Sequence, residues 1–355
     1  MVLVNEYVFL ATARQAQGSR QFAALAGAGI HAVRTRAASG GGGAEPSERV
    51  SVCFLEWDLV AMPHDRLQRA RVSLSGLALG DALGSQFFVP ANRRHLSART
   101  LPPAPWQWAD DTEMACSVYL TLALHHAIDQ DVLAASFAQR HDFDRGYGPA
   151  TNRLLRLVRD GGDWRTLATD LFDGSGSWGN GSAMRVAPLG AFFADDPEQA
   201  AHQAALSAAV THTHREAIAG AIAVAVATAH AAHGSLSPGV FIDRILEHVP
   251  TGKVHDGIQE ARRLLTVSDP ETAAYFLGDG RTVAAHDTVP FTLWAAAHHL
   301  TDYPQAIWTT AAAGGDIDTT CAIVGGITAT AAGLHALPET WRRAAEPLPD
   351  WIRTT

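Results

Sequence analysis

Lysine is almost missing from this 355-residue chain: Lys253 is the only one, so nearly all of its 27 basic residues are arginine. With the alanine richness, that bias reflects GC-rich coding more than function. Cysteine is scarce as well. Cys53, Cys116 and Cys321 are widely spaced, odd in number and form no C-x-x-C pair, which argues against a disulfide framework and against a structural zinc site. No apolar run is long enough for a bilayer, since the longest, residues 217–229, is short and alanine-dominated. Residues 1–11 carry Glu6 and lack the basic flank of a signal peptide. Positive charge is in deficit, 27 Lys and Arg against 36 Asp and Glu, a net −9. That balance argues against a broad phosphate-binding surface, although metals or backbone amides can still build an anion site. The expectation is a soluble, cytoplasmic protein with no membrane association and no extended nucleic-acid surface.

The first 61 residues differ from the rest. They hold five acids and five arginines, so the whole −9 falls on residues 62–355. They contain the run Gly40–Gly43 and no sustained period of 3.6 or 2 residues, and read as a poorly ordered extension, with Met62 as the natural start. A small hairpin over Val50 to Val60 is the alternative. From residue 65 onward the text is helix after helix. Leu67, Ala70, Leu74 and Leu77 recur at helical spacing, and Met114 to Ile128 is a second apolar stretch. Asp131 is placed to cap a helix over 132–140, and Asp196-Pro197-Glu198 is a strong helix start. Further helices are expected at 214–233, 238–248, 255–266, 290–300, 304–312, 318–333 and 338–345. Strand alternation is scarce, so the fold class is all-α, a single-domain helical bundle whose functional residues lie in its inter-helix loops.

Two acidic motifs stand far apart, Trp108-Ala109-Asp110-Asp111-Thr112-Glu113 and Gly314-Gly315-Asp316-Ile317-Asp318-Thr319-Thr320. Each sets two carboxylates and a hydroxyl at a helix N-terminus, where one acid suffices as a cap. The surplus points to a hard cation such as Mg²⁺, which takes several oxygen ligands. Four carboxylates are enough for two ions ~3.5–4 Å apart. A third motif, Ser177-Trp178-Gly179-Asn180-Gly181-Ser182-Ala183-Met184-Arg185, is an ordinary glycine turn or a cradle of backbone amides for a diphosphate or ribose. In Gly80-Asp81-Ala82-Leu83-Gly84 the glycines suit close helix packing, and Asp81 is an acid in apolar company that needs a partner. Thr211-His212-Thr213-His214 opens the alanine-rich helix, and its two histidines do not share a face. Asp144-Arg145-Gly146-Tyr147-Gly148-Pro149 is a turn whose ring either stacks on a base or packs.

Taken in order, these words resemble the ADP-ribosylglycohydrolase family over about residues 65–335, and the pairing of the two double-acid motifs with Gly-Asn-Gly and Ala-Met-Arg is specific. The resemblance implies an orthogonal helical bundle with a binuclear Mg²⁺ centre, Mn²⁺ being the alternative, held by Asp110, Asp111, Asp316, Asp318 and Thr319. It implies that Gly179, Asn180, Gly181, Ser182 and Met184 line an ADP-ribose cleft, with His212 near the ribose or diphosphate and Tyr147 stacking on adenine. The implied reaction is hydrolysis of the bond between C1″ and an acceptor in an ADP-ribosylated protein, nucleotide or small molecule, with Asp111 or Asp316 accepting a proton. Two positions depart from many relatives. Ala109 stands where a Thr or Ser precedes the acid pair, and Phe88 where some relatives carry a glutamate. A non-catalytic ADP-ribose-binding module is therefore the alternative reading, and a Mg²⁺-dependent isoprenoid diphosphate enzyme a distant third.

Overall fold

The computed structural model describes residues 63–234 and 236–352. The expected extension, its hairpin alternative and Met62 lie outside the described residues. Seventeen α-helices follow in order among the described residues: α1 Pro63–Ser85, α2 Arg93–Ala98, α3 Asp110–His125, α4 Gln130–Arg140, α5 Pro149–Arg159, α6 Trp164–Thr169, α7 Leu171–Gly174, α8 Ala187–Phe192 and α9 Pro197–Ala209, then α10 Arg215–Ala231, α11 Pro238–Leu246, α12 Lys253–Arg263, α13 Pro270–Leu277, α14 Ala285–His298, α15 Tyr303–Ala312, α16 Ile317–Ala332 and α17 Glu339–Ala344. Pairing between extended segments is limited among them to two isolated bridges, Trp106 with Ala345 and Gly179 with Ala284. The all-α expectation holds.

The helix starts follow their signals. Asp196 accepts from the Gln199 amide at 2.9 Å, with Pro197 in the first turn of α9. Two expected boundaries move. Asp129, not Asp131, caps α4, accepting from the amides of Asp131 and Val132, while Asp131 faces outward to Arg165. Helix α14 begins at Ala285 rather than at Pro290, whose ring lies against Gly257 of α12, where there is no side chain to obstruct it. The alanine-rich α10 is buried on nearly every side and packs against α8, α9, α14 and α16. Small side chains let these helices close on it, and apolar burial at about 25 cal/mol per Å² stabilises the assembly.

The contact that matters most for function is between α1 and α16, which run antiparallel. Gly76, Gly80 and Gly84 form a stripe at four-residue spacing along α1. A Cβ at Gly80 would lie 2.2 Å from the Cys321 carbonyl oxygen, and one at Gly84 would lie 2.7 Å from the Asp318 Cα. Only glycine allows backbones this close. The Tyr303 hydroxyl donates to the Gly76 carbonyl at 2.7 Å and holds the same junction. The packing reading of Gly80 and Gly84 is thus correct, and one consequence is that Asp81 and Asp318 become neighbours. Among the described residues no single helix is long and apolar enough to cross a membrane.

Candidate functional site

The double-acid motifs do sit at helix N-termini, but they do not cap them. Helix α3 has Ala109 at its N-cap and α16 has Asp316, and neither makes a side-chain cap bond. The cap of α3 comes instead from another helix. Asp81 of α1 accepts from the Ala109 amide at 2.9 Å, from the Thr112 amide at 3.1 Å and from the Thr112 hydroxyl at 2.6 Å. Asp81 was recognisable as an acid needing a partner, and this is the partner. Its fully buried carboxyl is pushed up to about 6 by loss of water, against the pull of those hydrogen bonds.

Because Asp81 does the capping, Asp110 and Asp111 are free for other work. Asp111 is fully buried, and both its carboxylate oxygens are sealed from solvent with no hydrogen-bond donor among the described residues. An unpaired carboxylate in such a place is costly. Carboxylate oxygens of Asp81, Asp111 and Asp318 all lie within 4.8 Å of one another. Burial first, and then the neighbouring acids, hold Asp111 and Asp318 well above the ordinary carboxylate range. Asp110 is pushed up to about 8 by burial, with the charge of Asp81 the next cause. Like charges gathered out of water are what a divalent cation would neutralise, and the donor set is all oxygen, as hard cations prefer. The residues fit a metal. Since Asp81 already accepts several hydrogen bonds, it is the brace, and Asp111 with its empty lone pairs is the better ligand.

The cluster opens into a cleft of about 570 Å³, large enough for a nucleotide. Asp110, Asp316, Asp318 and Thr319 line one end. Gly179, Asn180, Gly181, Met184 and His212 line the cleft too, with the partly exposed Phe172 and Trp178. Gly314 and Gly315 both take left-handed backbone, at φ 76° and 71°, and so turn Asp316 into the site, where the Asp279 carbonyl accepts its amide at 2.9 Å. The Gly-Asn-Gly loop is anchored from outside, because the Val283 carbonyl accepts from the Asn180 amide at 2.9 Å. Gly179 and Gly181 are required by His212, whose Nε2 would stand 3.2 and 3.1 Å from a Cβ at those positions.

Several expected cleft residues are placed differently. Tyr147 does not reach the cleft. Its ring is buried edge-on to His141 and its hydroxyl donates to Glu113 at 2.7 Å, so its turn borders the cleft through Gly146 and Gly148. Ser182 is also turned inward, donating to the Ala217 carbonyl at 3.1 Å. The two Asn180 donor hydrogens are taken up by Asp316 at 2.7 Å and Thr288 at 3.0 Å, which leaves its carbonyl oxygen for a ligand. Asp111, expected as a proton acceptor, lies behind the cleft wall, and Asp316 is the candidate that faces it. The aromatic pair that the sequence reading missed is Phe172 and Trp178, with ring centroids 4.8 Å apart and both partly exposed at the rim. Trp178 stood in the glycine motif as a signal, whereas nothing marked Phe172. Phe88, at the position of the relatives' glutamate, is 48% exposed and does not line the cleft.

An all-helical frame thus gathers carboxylates that could hold a divalent cation at two helix N-termini, beside a nucleotide-sized cleft. Residues 62–355 match the ADP-ribosylglycohydrolase family, and the chain belongs to that family of glycosyl-bond hydrolases. It is similar to the ADP-ribosylhydrolase ARH3 of Xenopus tropicalis, at 26% identity over 80% of this chain and 93% of that one. The Homo sapiens ARH3 is 27% identical over 79% of this chain and 90% of its own length. An ADP-ribosylarginine hydrolase, Tri1 of Pseudomonas putida, is 30% identical over 44% of each. Among solved structures, an ADP-ribosylglycohydrolase-related protein complex shares the fold with TM-score 0.60, at 24% identity over 80% of this chain and 94% of that one. The isoprenoid reading is set aside by this membership.

Proposed function

We propose that the protein hydrolyses the glycosidic bond between C1″ of the distal ribose of an ADP-ribose conjugate and its acceptor atom. The substrate is an ADP-ribosylated protein, nucleotide or small molecule. The observation that carries this reading is Asp111, a sealed carboxylate without a donor, set behind the acidic end of a nucleotide-sized cleft. The ligands would be Asp110, Asp111, Asp316, Asp318 and Thr319, holding a pair of Mg²⁺ ions, with Mn²⁺ as the alternative. Such ions supply positive charge for the ribose hydroxyls and make a bound water more acidic.

The chain's own groups do the rest. Asp316, steadied by the Asn180 amide, accepts the proton of the attacking water. The water oxygen bonds to C1″ as the bond to the acceptor breaks, and the acceptor leaves with a proton. The surrounding carboxylates stabilise positive charge developing at C1″. Phe172 and Trp178 offer ring faces for the adenine, in place of Tyr147. A reducing, cytoplasmic setting agrees with the free, buried thiols of Cys116 and Cys321.

The test is release of free ADP-ribose from a panel of conjugates with Mg²⁺, with Mn²⁺ and with EDTA. The panel holds arginine- and serine-linked peptides, modified nucleic acid and O-acetyl-ADP-ribose. Metal-dependent release from one acceptor is the expected result and identifies the substrate. Binding of ADP-ribose without release from any acceptor would replace the hydrolase with a binding module, and Ala109 and Phe88 would then be the first positions to restore.

A further inference from the structure

Arg185 is fully buried, and among the described residues no carboxylate bonds to it. Its acceptors are all neutral: the carbonyls of Gly181 at 3.3 Å and Ser207 at 2.7 Å, the Thr211 hydroxyl at 2.9 Å and the Met114 sulfur at 3.7 Å, with the Phe137 ring 4.5 Å below. A buried cation without an anion is as unusual as Asp111 is among the acids, and it stands directly behind the Gly-Asn-Gly loop. The cleft therefore has carboxylates on its wall and an unneutralised guanidinium behind its Gly-Asn-Gly loop.

The Thr211 hydroxyl links this charge to the cleft. Its oxygen accepts from Arg185 and lies 2.7 Å from Nδ1 of His212. The hydroxyl has one proton, and Nδ1 is the only acceptor it meets among the described residues. If Nδ1 carried a hydrogen instead, the threonine would accept twice and its own proton would be orphaned in a buried site. Hydrogen counting thus leaves Nδ1 as an acceptor and puts the imidazole hydrogen on Nε2, the atom facing Gly179 and Gly181 in the cleft. Burial and the Arg185 charge act in the same sense and push His212 down to about 3, so the ring stays neutral.

We infer that Arg185 and Thr211 are positioning residues that lock His212 as a neutral Nε2–H donor to the anionic diphosphate of the ligand. The inference rests on the ADP-ribose reading above and deepens it, because it names two residues behind the cleft that set which nitrogen of His212 carries the hydrogen.

The test uses ¹⁵N-histidine-labelled protein at pH 7.5, with the His212 signals assigned by their loss in His212→Gln. The expected wild-type signature is a hydrogen on Nε2 and an unprotonated Nδ1. Thr211→Val, which keeps the shape and removes the hydroxyl, should shift that tautomer and weaken ADP-ribose binding about tenfold, while adenosine binding stays unchanged. Thr211→Ser should restore both the tautomer and the affinity, which separates the relay from a simple packing role. A hydrogen on Nδ1 in the wild type, or Thr211→Val binding ADP-ribose as tightly as the wild type, overturns the relay. Failure of the wild type to bind ADP-ribose while the Nε2–H tautomer is intact overturns the ligand reading, and the diphosphate assignment with it.

Discussion

Stripped of divalent cations with EDTA, the protein should lose stability as pH rises from 7 to 8. Asp110 ionises near 3.8 in an ordinary setting but near 8 in the fold, because burial and the charge of Asp81 oppose its ionisation. A group with a raised native value binds a proton in the folded state that the unfolded chain has released, so its contribution is full below the unfolded value and is lost progressively as pH climbs to and through the folded one. At 1.36 kcal/mol for each tenfold change in proton activity, Asp110 alone removes about 1 kcal/mol across this interval. Asp111 and Asp318, also raised, act in the same sense. Histidines shifted downward in the fold are still partly protonated near pH 7 in the unfolded chain, so each raises stability by about 0.1 kcal/mol between pH 7 and 8 and offsets part of the carboxyl effect. A loss of about 1 kcal/mol lowers Tm by about 2 °C in a domain of this size, and more as further carboxyls take part. Free Mg²⁺ at a hundredfold its pH 7 Kd should add about 2.7 kcal/mol at pH 7, and the same concentration should add more at pH 8, since cation and protons compete for the same oxygens. The assay is calorimetry at both pH values, with EDTA and with Mg²⁺. Asp111→Asn should be more stable than the wild type in EDTA at pH 8 and should respond less to Mg²⁺. A metal-free Tm that stays level or rises between pH 7 and 8 refutes the reasoning.

Three further outcomes can be checked. Gly80→Ala places a methyl 2.2 Å from the Cys321 carbonyl oxygen, so α1 and α16 must separate; a loss of about 3 kcal/mol in urea unfolding, with weaker metal binding, is expected, and an unchanged midpoint would contradict the contact. Trp178→Ala should weaken ADP-ribose about tenfold but leave ribose 5-phosphate unaffected, as calorimetric titration of the two ligands would show. Ala109→Thr adds a hydroxyl at the N-cap of α3, where the Thr112 amide it would normally accept from is already bonded to Asp81, so the oxygen is left for the metal. It should tighten Mg²⁺ severalfold, and a gain in metal-free stability without that tightening would mean that it caps the helix instead.

How much was legible in the sequence depended on whether the signal was local. Helix starts such as Asp196-Pro197 were readable because a cap acts on amides two or three residues away. Paired acids at two helix starts were also local, and their surplus over capping needs pointed to a metal. Tyr147 shows the limit. Its turn was recognised, but the direction of its ring depended on Glu113, 34 residues earlier, whose buried carboxylate takes the hydroxyl. Asn180 was expected to line the cleft and does, but that its amide hydrogens go to Asp316 and Thr288, more than a hundred residues later, was not legible. Asp129 displaced Asp131 as the cap of α4 because both are acids at a plausible spacing, and only the amide directions distinguish them. Phe172 carried no signal, since its part in the rim comes from a ring contact with Trp178 across a glycine-containing turn.

The glycine stripe and the acidic centre are one device seen from two sides. Gathering like charges in a buried place works against folding, so the elements that carry them must be held by something strong and close. Here α1 and α16 touch backbone to backbone at Gly76, Gly80 and Gly84, and that same contact sets Asp81 beside Asp318. Asp81 then reaches across to hold the first turn of α3, which frees Asp110 and Asp111 from capping. If any of the three glycines gave way, the cap would loosen and the carboxylates would spread together. Stability and metal affinity should therefore fall in parallel at Gly76, Gly80 and Gly84, but move in opposite directions at Asp111, where neutralising the charge relieves the fold and removes the ligand.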